Sequence, residues 1–345
     1  MRGPRNCGAS TGAPVTGRLP VFHNLPDTYS TMPEPRVLIC GSIAFDTIMV
    51  FADRFRNHIL PEKTHMLNVS FTVLEMRREF GGCAGNIGYN LKLLGGAPVV
   101  MASIGDDGHP YRERLAGFDL DTTCVRTMPG TFTAQAFITT DLDDNQITAF
   151  HPGAMGLSHR ISAAEAPDIR LGIIAPDGRE GMLAHAAQLH AAGIPFIFDP
   201  GQAMPLFDGD ELKRMVDWAD YLAVNDYEGE LLQERTGLSR ADLAAQVKAM
   251  IITQGAGGSL IVAGKETIEI PAVTPESEVD PTGCGDAYRA GLLYGIAHGW
   301  DWQRTGRLAS LLGALKIAHR GGQNHRFGRE SVAARYQEAF GSALW

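Results

Sequence analysis

The sequence predicts an α/β protein in which a mainly parallel sheet carries helices on both faces, together with a small β-lid. From Leu171 onward, short apolar runs alternate with helical segments, and this alternation implies right-handed crossovers between parallel strands. Near the N-terminus, segment 36–41 is a short apolar run that ends in glycine, as a buried strand does. Two glycine-rich loops, 81–86 and 280–286, each lead directly into an apolar helix. We therefore expect one large domain without an internal linker.

Composition and charge narrow the possible functions. The 345 residues include 30 Lys plus Arg and 39 Asp plus Glu, a formal net charge of −9. This charge argues against a nucleic-acid-binding surface but is compatible with a local phosphate site. The five cysteines are scattered without a CxxC pair, so metal clusters and disulfide frameworks are not expected and a reducing cytoplasm fits best. No apolar run is long enough to cross a bilayer, so we expect no membrane partner.

The first 31 residues differ in composition from the rest of the chain. They are rich in Gly, Pro, Thr and Arg and show no periodic apolar face. The apolar core of a secretory signal is missing, although a transit-like peptide is conceivable because acids are scarce there. We expect residues 1–31 to be a disordered extension and residues 32–345 to form the folded domain.

The N-terminal part of the fold combines a strand, an acid and the predicted lid. Asp46 follows strand 36–41 closely, and an acid just past the first parallel strand lies where α/β proteins bind ligands. The alternative is a loop aspartate that caps a turn. From about 51 to 80 the strand–helix rhythm is interrupted, and segment 65–73 alternates loosely. This pattern predicts an inserted β-lid over 51–80, or else a peripheral hairpin.

The segment after the lid contains a glycine loop, a helix and further strands. The loop at 81–86 leads into an apolar helix that stops at Gly95. Strands are predicted at 99–105, 132–140 and 146–150. Gln135 lies on the second of these strands and faces either a substrate or solvent.

The C-terminal half follows the strand–helix rhythm. Strands are predicted at 171–175, 194–199, 221–225 and 249–253, and helices at 181–192, from about 284 to 298 and at 308–319. Asn225 and Glu228 stand at a strand-to-helix junction. There, Glu228 can serve simply as a favourable acid at a helix N-terminus. Thr253 ends a strand just before a glycine turn that contains Gly255.

The loop Asp280-Pro281-Thr282-Gly283-Cys284-Gly285-Asp286 has the clearest chemical pattern in the chain. Glycines let the backbone bend sharply and approach a ligand closely. A glycine loop that opens a helix points free N–H groups and the positive end of the helix dipole at one spot, which suits phosphate. The same position should lower the thiol pKa of Cys284. A glycine turn that merely caps a helix is the alternative.

Several motifs resemble the ribokinase-like (PfkB) family of sugar and nucleoside kinases. They are Gly-Gly-x-x-x-Asn at 81–86, Asn-x-x-Glu at 225–228, the glycine turn at 254–258 and Asp-x-Thr-Gly-x-Gly-Asp at 280–286. The resemblance extends from about Val37 to about Gly322, and the bacterial adenosine and nucleoside kinases are its nearest branch. Pro281 and Cys284 depart from the family, which often has Thr and usually has Ala at these positions. The resemblance implies a Rossmann-type three-layer sandwich.

The resemblance also implies a role for each motif. Asp286 is the implied general base, and the anion hole is formed by N–H groups of Gly283, Cys284 and Gly285. Residues implied to contact the substrate are Asp46, Gly82, Asn86 and Gln135. Residues implied to bind ATP and Mg²⁺ are Asn225, Glu228, Thr253 and Gly255. Asp280 and nearby carbonyl groups are implied to hold a monovalent cation, K⁺.

These implications predict a kinase that phosphorylates the 5′-hydroxyl of a purine nucleoside with ATP. Adenosine is the expected substrate, which gives AMP and serves purine salvage. The apolar residues of the predicted lid favour a flat base over a small free sugar. A sugar kinase for ribose, fructose or a phosphosugar, and a non-catalytic nucleotide sensor, are the alternatives. The expected partners are small molecules only, and the expected state is a monomer or homodimer in the cytoplasm.

Overall fold

The computed structural model of the protein describes residues 33–59, 68–143 and 145–345. The extension expected at 1–31 and residues 60–67 of the predicted lid lie outside the described residues. The strands are β1 (Arg36–Cys40), β2 (Ala44–Phe51), β3 (Val73–Gly81), β4 (Ala97–Ile104), β5 (Val125–Thr127), β6 (Ala134–Thr140), β7 (Gln146–His151), β8 (Ile169–Ile174), β9 (Phe196–Phe198), β10 (Tyr221–Asn225), β11 (Ala249–Thr253), β12 (Ser259–Ala263) and β13 (Glu266–Ile270). The helices are α1 (Cys83–Leu93), α2 (His109–Gly117), α3 (Arg179–Ala191), α4 (Gly209–Trp218), α5 (Asp226–Thr236), α6 (Arg240–Gln246), α7 (Cys284–Ala297), α8 (Trp302–Ile317) and α9 (Arg329–Phe340). None of the helices in the described ranges is both long and apolar enough to cross a bilayer.

The larger sheet has nine strands in the order β13-β12-β11-β10-β9-β8-β1-β4-β5. All neighbours from β11 to β5 pair in parallel, whereas β12 pairs antiparallel with both β11 and β13. Parallel pairing requires a crossover between successive strands, and helices provide most of these crossovers. The mainly parallel sheet predicted from the sequence is confirmed.

The core lies on both faces of this sheet, because successive side chains of a strand point to opposite sides. On β1, Ile39 packs in a buried cluster that includes Leu292 of α7, and Leu38 packs in a second buried cluster that includes Leu189 of α3. All four side chains are fully buried. Each contributes about 1.5–3 kcal/mol of burial free energy, which explains why the central strands are apolar on both faces.

A second sheet contains four strands in the order β3-β2-β6-β7. β2 pairs in parallel with β6 and antiparallel with β3, and β6 pairs antiparallel with β7. The second sheet is therefore built from more residues than the predicted lid segment at 51–80. That segment contributes only β3 and the end of β2. Residues 68–72 are not in a strand, and β3 begins at Val73. Within its described part, the loosely alternating segment 65–73 therefore contributes only Val73 to the sheet.

Asp46 belongs to this second sheet. It follows β1 closely, but it lies within β2 and not in the turn-capping loop of the alternative interpretation, and it pairs across the strands with Glu79 and Ala136. The sequence did not predict β2, which is held between β3 and β6, and neither of these strands belongs to the larger sheet. Asp46 is therefore presented to the site by the second sheet.

Candidate active site

A cleft of about 930 Å³ lies between the second sheet and the carboxyl ends of the strands in the larger sheet. Asp199 follows β9, Asn225 ends β10 and Thr253 ends β11, and all three line the cleft. The carboxyl edge of a parallel sheet is where open α/β folds bind ligands. Helices α1 and α7 point their N-termini at the same cleft, through Gly82 and Gly283.

The structure brings most of the predicted site residues together. Those that line the cleft are Asp46, Gly82, Asn86, Asn225, Glu228, Thr253, Gly283, Gly285 and Asp286. Those that do not line it are Gln135, Gly255, Asp280 and Cys284. Motifs from separate parts of the chain therefore meet at one site.

Gly82 allows the chain to turn tightly from β3 into α1. Its φ angle is +86°, and a Cβ atom there would lie 2.6 Å from the carbonyl oxygen of Ser42. Both facts require glycine at this position. The Ser42 hydroxyl accepts a hydrogen bond from the Cys83 N–H at 3.1 Å. The N-terminus of α1 is thereby fixed against the loop that follows β1.

Gly283 plays the corresponding part at the start of α7. Its φ angle is +80°, in the left-handed region that favours glycine. The Cys284 N–H donates to the carbonyl oxygen of Pro281 at 3.1 Å, so it is engaged within the turn. Gly283 and Gly285 line the cleft and Cys284 does not. Of the three residues predicted for the anion hole, the structure brings two to the cleft wall.

Asp286 lies in the first turn of α7 and faces the cleft. Its Oδ2 accepts a hydrogen bond from Asn86 Nδ2 at 2.8 Å. Burial raises the pKa of Asp286 to about 6; the negative charge of Asp199 adds to this rise, and the Asn86 hydrogen bond and the charge of Arg289 oppose it. The carboxylate is therefore mostly ionised at neutral pH, where it can accept a proton from a hydroxyl group.

Asn86 is held in place by a chain of buried hydrogen bonds. Its Oδ1 accepts from Gln323 Nε2 at 3.1 Å, and the same nitrogen donates to the Tyr111 hydroxyl at 2.6 Å. Arg114 donates to the carbonyl oxygen of Gln323 at 2.6 Å. The resemblance implied that Asn86 binds a substrate hydroxyl. In the structure, one of its N–H groups and its oxygen already bond protein groups, so its amide orients the carboxylate of Asp286.

Asp46 presents a second carboxylate to the cleft. Burial raises its pKa to about 6, and the negative charges of Glu79 and Asp280 add to the rise. Gly81 leaves space for it, since a Cβ atom at position 81 would lie 2.4 Å from Oδ2 of Asp46. An ionised carboxylate accepts several hydrogen bonds and can bind a pair of neighbouring hydroxyl groups.

A buried ion pair at the bottom of the cleft was not predicted from the sequence. Arg289 Nε and Nη2 donate to the two carboxylate oxygens of Asp199 at 3.0 and 3.1 Å. Their side chains are 6% and 8% exposed. Burial works against the charge of Arg289, but Asp199 outweighs this effect and raises the pKa. A sequence signal existed, because Arg289 is the one charged residue from Ala287 to Ala297 of an otherwise apolar helix.

Asn225 and Glu228 form a reciprocal cap at the start of α5. The Asn225 side chain accepts from the Glu228 N–H at 2.7 Å, and Oε2 of Glu228 accepts from the Asn225 N–H at 2.8 Å. The helix-capping alternative is therefore present in the structure. Both residues also line the cleft. Burial raises the pKa of Glu228, with Asp199 contributing to the rise.

The acids at the bottom of the cleft fit a magnesium ion that is bound together with phosphate. Asp199, Glu228 and Asp286 line the cleft with Arg289 as a compensating cation. Within the described ranges, no three acidic, His or Cys side chains are placed to hold a metal ion by themselves. Mg²⁺ prefers oxygen ligands, keeps several waters and often reaches protein through one or two carboxylates plus phosphate. The residues present suit that mode of binding.

Asp280 is engaged with its own loop. Its carboxylate accepts from the N–H groups of Thr282 at 2.9 Å and Gly321 at 2.8 Å. Burial opposes its ionisation, but these hydrogen bonds and the charge of Lys316 hold its pKa below the ordinary value. The Lys316 ammonium group donates to the carbonyl oxygen of Asp280 at 2.6 Å. A protein cation thus sits beside the acid for which the resemblance implied K⁺.

Three further expectations concern residues away from the cleft wall. Gln135 alternates on β6 with Ala136, which faces the cleft, and its amide donates to Asp107 at 3.0 Å. Gly255 lies in an exposed turn after β11. The pKa of Cys284 is raised to about 11, chiefly by burial, so the lowered value expected from the helix terminus was wrong. Desolvation of the thiolate outweighs the helix dipole there.

The second sheet gives the cleft an apolar wall. The apolar residues of this wall are Ala44, Ala136, Ile138 and Phe150 from the sheet, with Pro152 and Met155 from the segment that follows β7. Phe150 is half exposed in this open cleft. A flat, apolar-faced group would bury surface against this wall.

Comparison with known proteins identifies relatives over most of the chain. The profile of the pfkB family carbohydrate kinases matches residues 45–326. A nucleoside kinase of Methanothermobacter thermautotrophicus is 30% identical over 305 residues, which cover 85% of this chain and 93% of the relative. A nucleoside kinase of Methanocaldococcus jannaschii is 29% identical over 268 residues, covering 76% and 87%. The structure of a Burkholderia thailandensis nucleoside kinase in complex with inosine is 55% identical, with a TM-score of 0.82, and covers 89% of this chain and 99% of that one.

Proposed function

Because the chain belongs to the pfkB family of carbohydrate kinases, which transfer phosphoryl groups to hydroxyl groups, we propose that its substrate is a purine nucleoside, phosphorylated by ATP at the 5′-hydroxyl. Adenosine is the proposed main substrate and AMP its product, which returns a purine nucleoside to the nucleotide pool. One observation carries this proposal: Asp286, a base at a helix N-terminus, shares a cleft with the apolar wall of the second sheet. The Burkholderia relative binds inosine, also a purine nucleoside.

In the proposed reaction, Asp286 accepts the proton of the attacking hydroxyl. Its pKa of about 6 makes the carboxylate available at neutral pH, and the hydrogen bond from Asn86 fixes which oxygen is presented. The N–H groups of Gly283 and Gly285 and the positive end of α7 stabilise negative charge on the transferred phosphoryl group. Phosphoryl transfer of this kind depends mainly on positioning and charge stabilisation.

The nucleoside is proposed to bind between Asp46 and the apolar wall. The carboxylate of Asp46 accepts hydrogen bonds from the ribose hydroxyls, and the base packs against Phe150 and its apolar neighbours. A free sugar would bind Asp46 but leave the wall uncovered. It would therefore lose binding energy that helps to hold the reacting hydroxyl in line.

ATP is proposed to approach along the carboxyl ends of β10 and β11, past Asn225, Glu228 and Thr253. Mg²⁺ bound with the triphosphate would neutralise its charge, with Glu228 as the nearest proposed protein carboxylate, directly or through water. We place the reaction in the cytoplasm, where ATP is abundant and the free cysteines of this chain would stay reduced.

A substrate panel tests the proposal. Purified protein is assayed with ATP and Mg²⁺ against adenosine, inosine, guanosine, ribose and fructose, and the products are identified by mass. We expect purine nucleoside 5′-monophosphates, with adenosine giving the highest kcat/KM and ribose a much lower one. A higher kcat/KM for ribose or fructose would replace the proposal with a sugar kinase. If none of the acceptors increases the rate of ADP release, the protein does not act as a kinase on any member of the panel.

A further inference from the structure

Lys316 is a buried lysine near the C-terminal end of α8, next to the loop at 280–286 but outside the cleft lining. Its ammonium group donates to two main-chain carbonyl oxygens, that of Asp280 at 2.6 Å and that of His319 at 3.0 Å. Lysine side chains are rarely buried unless their charge is compensated. Here the compensation comes from carbonyl oxygens and from the nearby carboxylate of Asp280.

The ammonium group joins two segments that shape the site. One is the loop that begins at Asp280 and leads to Gly283. The other is the segment from His319 to Gln323 that follows α8. The Asp280 carboxylate adds a second link, because it accepts from the Gly321 N–H at 2.8 Å, and the Asp280 N–H donates to the Ile317 carbonyl oxygen at 3.0 Å. Cation and anion together tie the start of the loop to the end of α8.

The second segment also supports the base. A Cβ atom on Gly283 would lie 3.2 Å from the Cα atom of Gly322, so the two backbones are in direct contact. Gln323 of the same segment bonds Asn86, which bonds Asp286. A shift of this segment would therefore move the glycine loop and the orientation of the carboxylate together.

The set of oxygen atoms around the ammonium group is one that a bare monovalent cation would also use. Main-chain carbonyl oxygens replace the hydration shell of such ions in proteins. In this chain the carbonyl oxygens of Asp280 and His319 already accept hydrogen bonds from Lys316. A metal cation cannot occupy the same position while the ammonium group remains there.

We propose that Lys316 is a built-in cation that holds the glycine loop in its phosphate-binding conformation, so that turnover does not depend on K⁺ or another monovalent metal ion. Lys316 is a positioning residue, since it acts through Asp280 and the segment that contains Gln323. This proposal replaces the expectation of K⁺ at Asp280. Its kinetic part rests on the proposed kinase function.

The kinetic test compares cations at constant ionic strength. Turnover of the wild-type protein is measured with its best substrate in K⁺, in Na⁺ and in N-methyl-glucamine, and we expect rates that agree within about twofold. Lys316→Met and Lys316→Ala should reduce kcat by about 10-fold to 100-fold, because each leaves buried carbonyl groups without their charged partner. K⁺ or NH₄⁺ should restore part of the loss in Lys316→Ala, which leaves room for an ion, and less in Lys316→Met.

Two controls make the result specific. Lys213→Met removes an exposed lysine that pairs with Asp210 on α4, and it should leave kcat unchanged in every salt. Thermal unfolding without substrate supplies a readout that needs no kinase activity. K⁺ should not raise the Tm of the wild type relative to N-methyl-glucamine, but it should raise the Tm of Lys316→Ala.

The outcomes separate the proposals. The role of Lys316 would be overturned if K⁺ raised wild-type turnover severalfold or raised the wild-type Tm by several degrees. Full kcat in Lys316→Met would overturn it as well. If Lys316→Ala does not fold, the wild-type comparison alone decides. Failure of the whole substrate panel would contradict the proposed function, while the Tm comparison would still test the built-in cation.

Discussion

The hydrogen bond from Asn86 to Asp286 should set the acid side of the pH–rate profile. Asn86 Nδ2 lies 2.8 Å from Oδ2 of Asp286 and stabilises the ionised carboxylate, so it lowers the pKa. A hydrogen bond to a charged group contributes about 1.5–3 kcal/mol, and each pKa unit corresponds to 1.36 kcal/mol. Asn86→Ala should therefore raise the pKa of Asp286 from about 6 to about 7–8.

The measurement is kcat/KM as a function of pH from 5 to 9, which reports the ionisation of the free enzyme. Asp46 also has a pKa raised to about 6, chiefly by burial, so the wild-type profile should fall steeply below pH 6 as both carboxylates become protonated. In Asn86→Ala only the Asp286 ionisation should move upward. The profile should then show two separate steps, and the factor by which kcat/KM falls should be largest at the acid end of the range and smallest at pH 9.

Asn90→Ala is the matched control. Asn90 lies one turn further along α1, is buried, and bonds the Asn86 carbonyl and His325 instead of Asp286. It should destabilise the fold to a similar degree but leave the acid side of the profile near pH 6. A fall in kcat/KM by the same factor at every pH in Asn86→Ala would contradict this role of Asn86, since the amide would then position substrate or structure without tuning the base.

Three further predictions concern the charged groups of the cleft. Asp286→Asn should reduce kcat by about 10²–10⁴-fold with little change in ATP affinity, as measured by turnover and equilibrium binding; near-normal turnover would exclude Asp286 as the base. Arg289→Met should lower the free energy of unfolding by about 3–5 kcal/mol, because Asp199 stays buried without its partner. Denaturant unfolding measures this loss, and the double variant with Asp199→Leu should recover part of it. Burial raises the pKa of Asp177 from 3.8 to about 7, so the folded state favours the protonated acid and loses stability as pH rises through that range, by about 4 kcal/mol at most. Asp177→Asn should therefore raise Tm at pH 8 more than at pH 5, and an equal change at both would contradict this assignment.

Local patterns in the sequence predicted much of the fold and part of the site. The loop before α7 and the junction at Asn225 are each formed by consecutive residues, with glycines and acids at fixed spacing. Their structure could therefore be predicted from the sequence. The parallel pairing of most strands in the larger sheet followed from the alternation of strands and helices. These features depend on neighbours in the chain.

Features that depend on distant neighbours could not be predicted. β2 pairs Ala44 with Ala134, and nothing in segment 44–51 identifies that partner, so β2 was not predicted as a strand. Arg289 meets Asp199 across 90 residues of sequence. The pKa of the Cys284 thiol was predicted to be lowered but is raised, because a sequence motif shows that the residue is at a helix terminus but does not show that it is buried. Burial is a property of the assembled fold.

The division of the cleft between two sheets makes the protein modular. The second sheet supplies Asp46 and the apolar wall, whereas the glycine loop, Asp286 and the Asp199–Arg289 pair belong to the body around the larger sheet. Changes in β6 or β7 can therefore reshape the side of the cleft that we propose holds the acceptor, while the side with the glycine loop keeps its geometry. A lineage could acquire a new acceptor by altering a few strand residues, and an engineer could graft the second sheet of one relative onto the body of another.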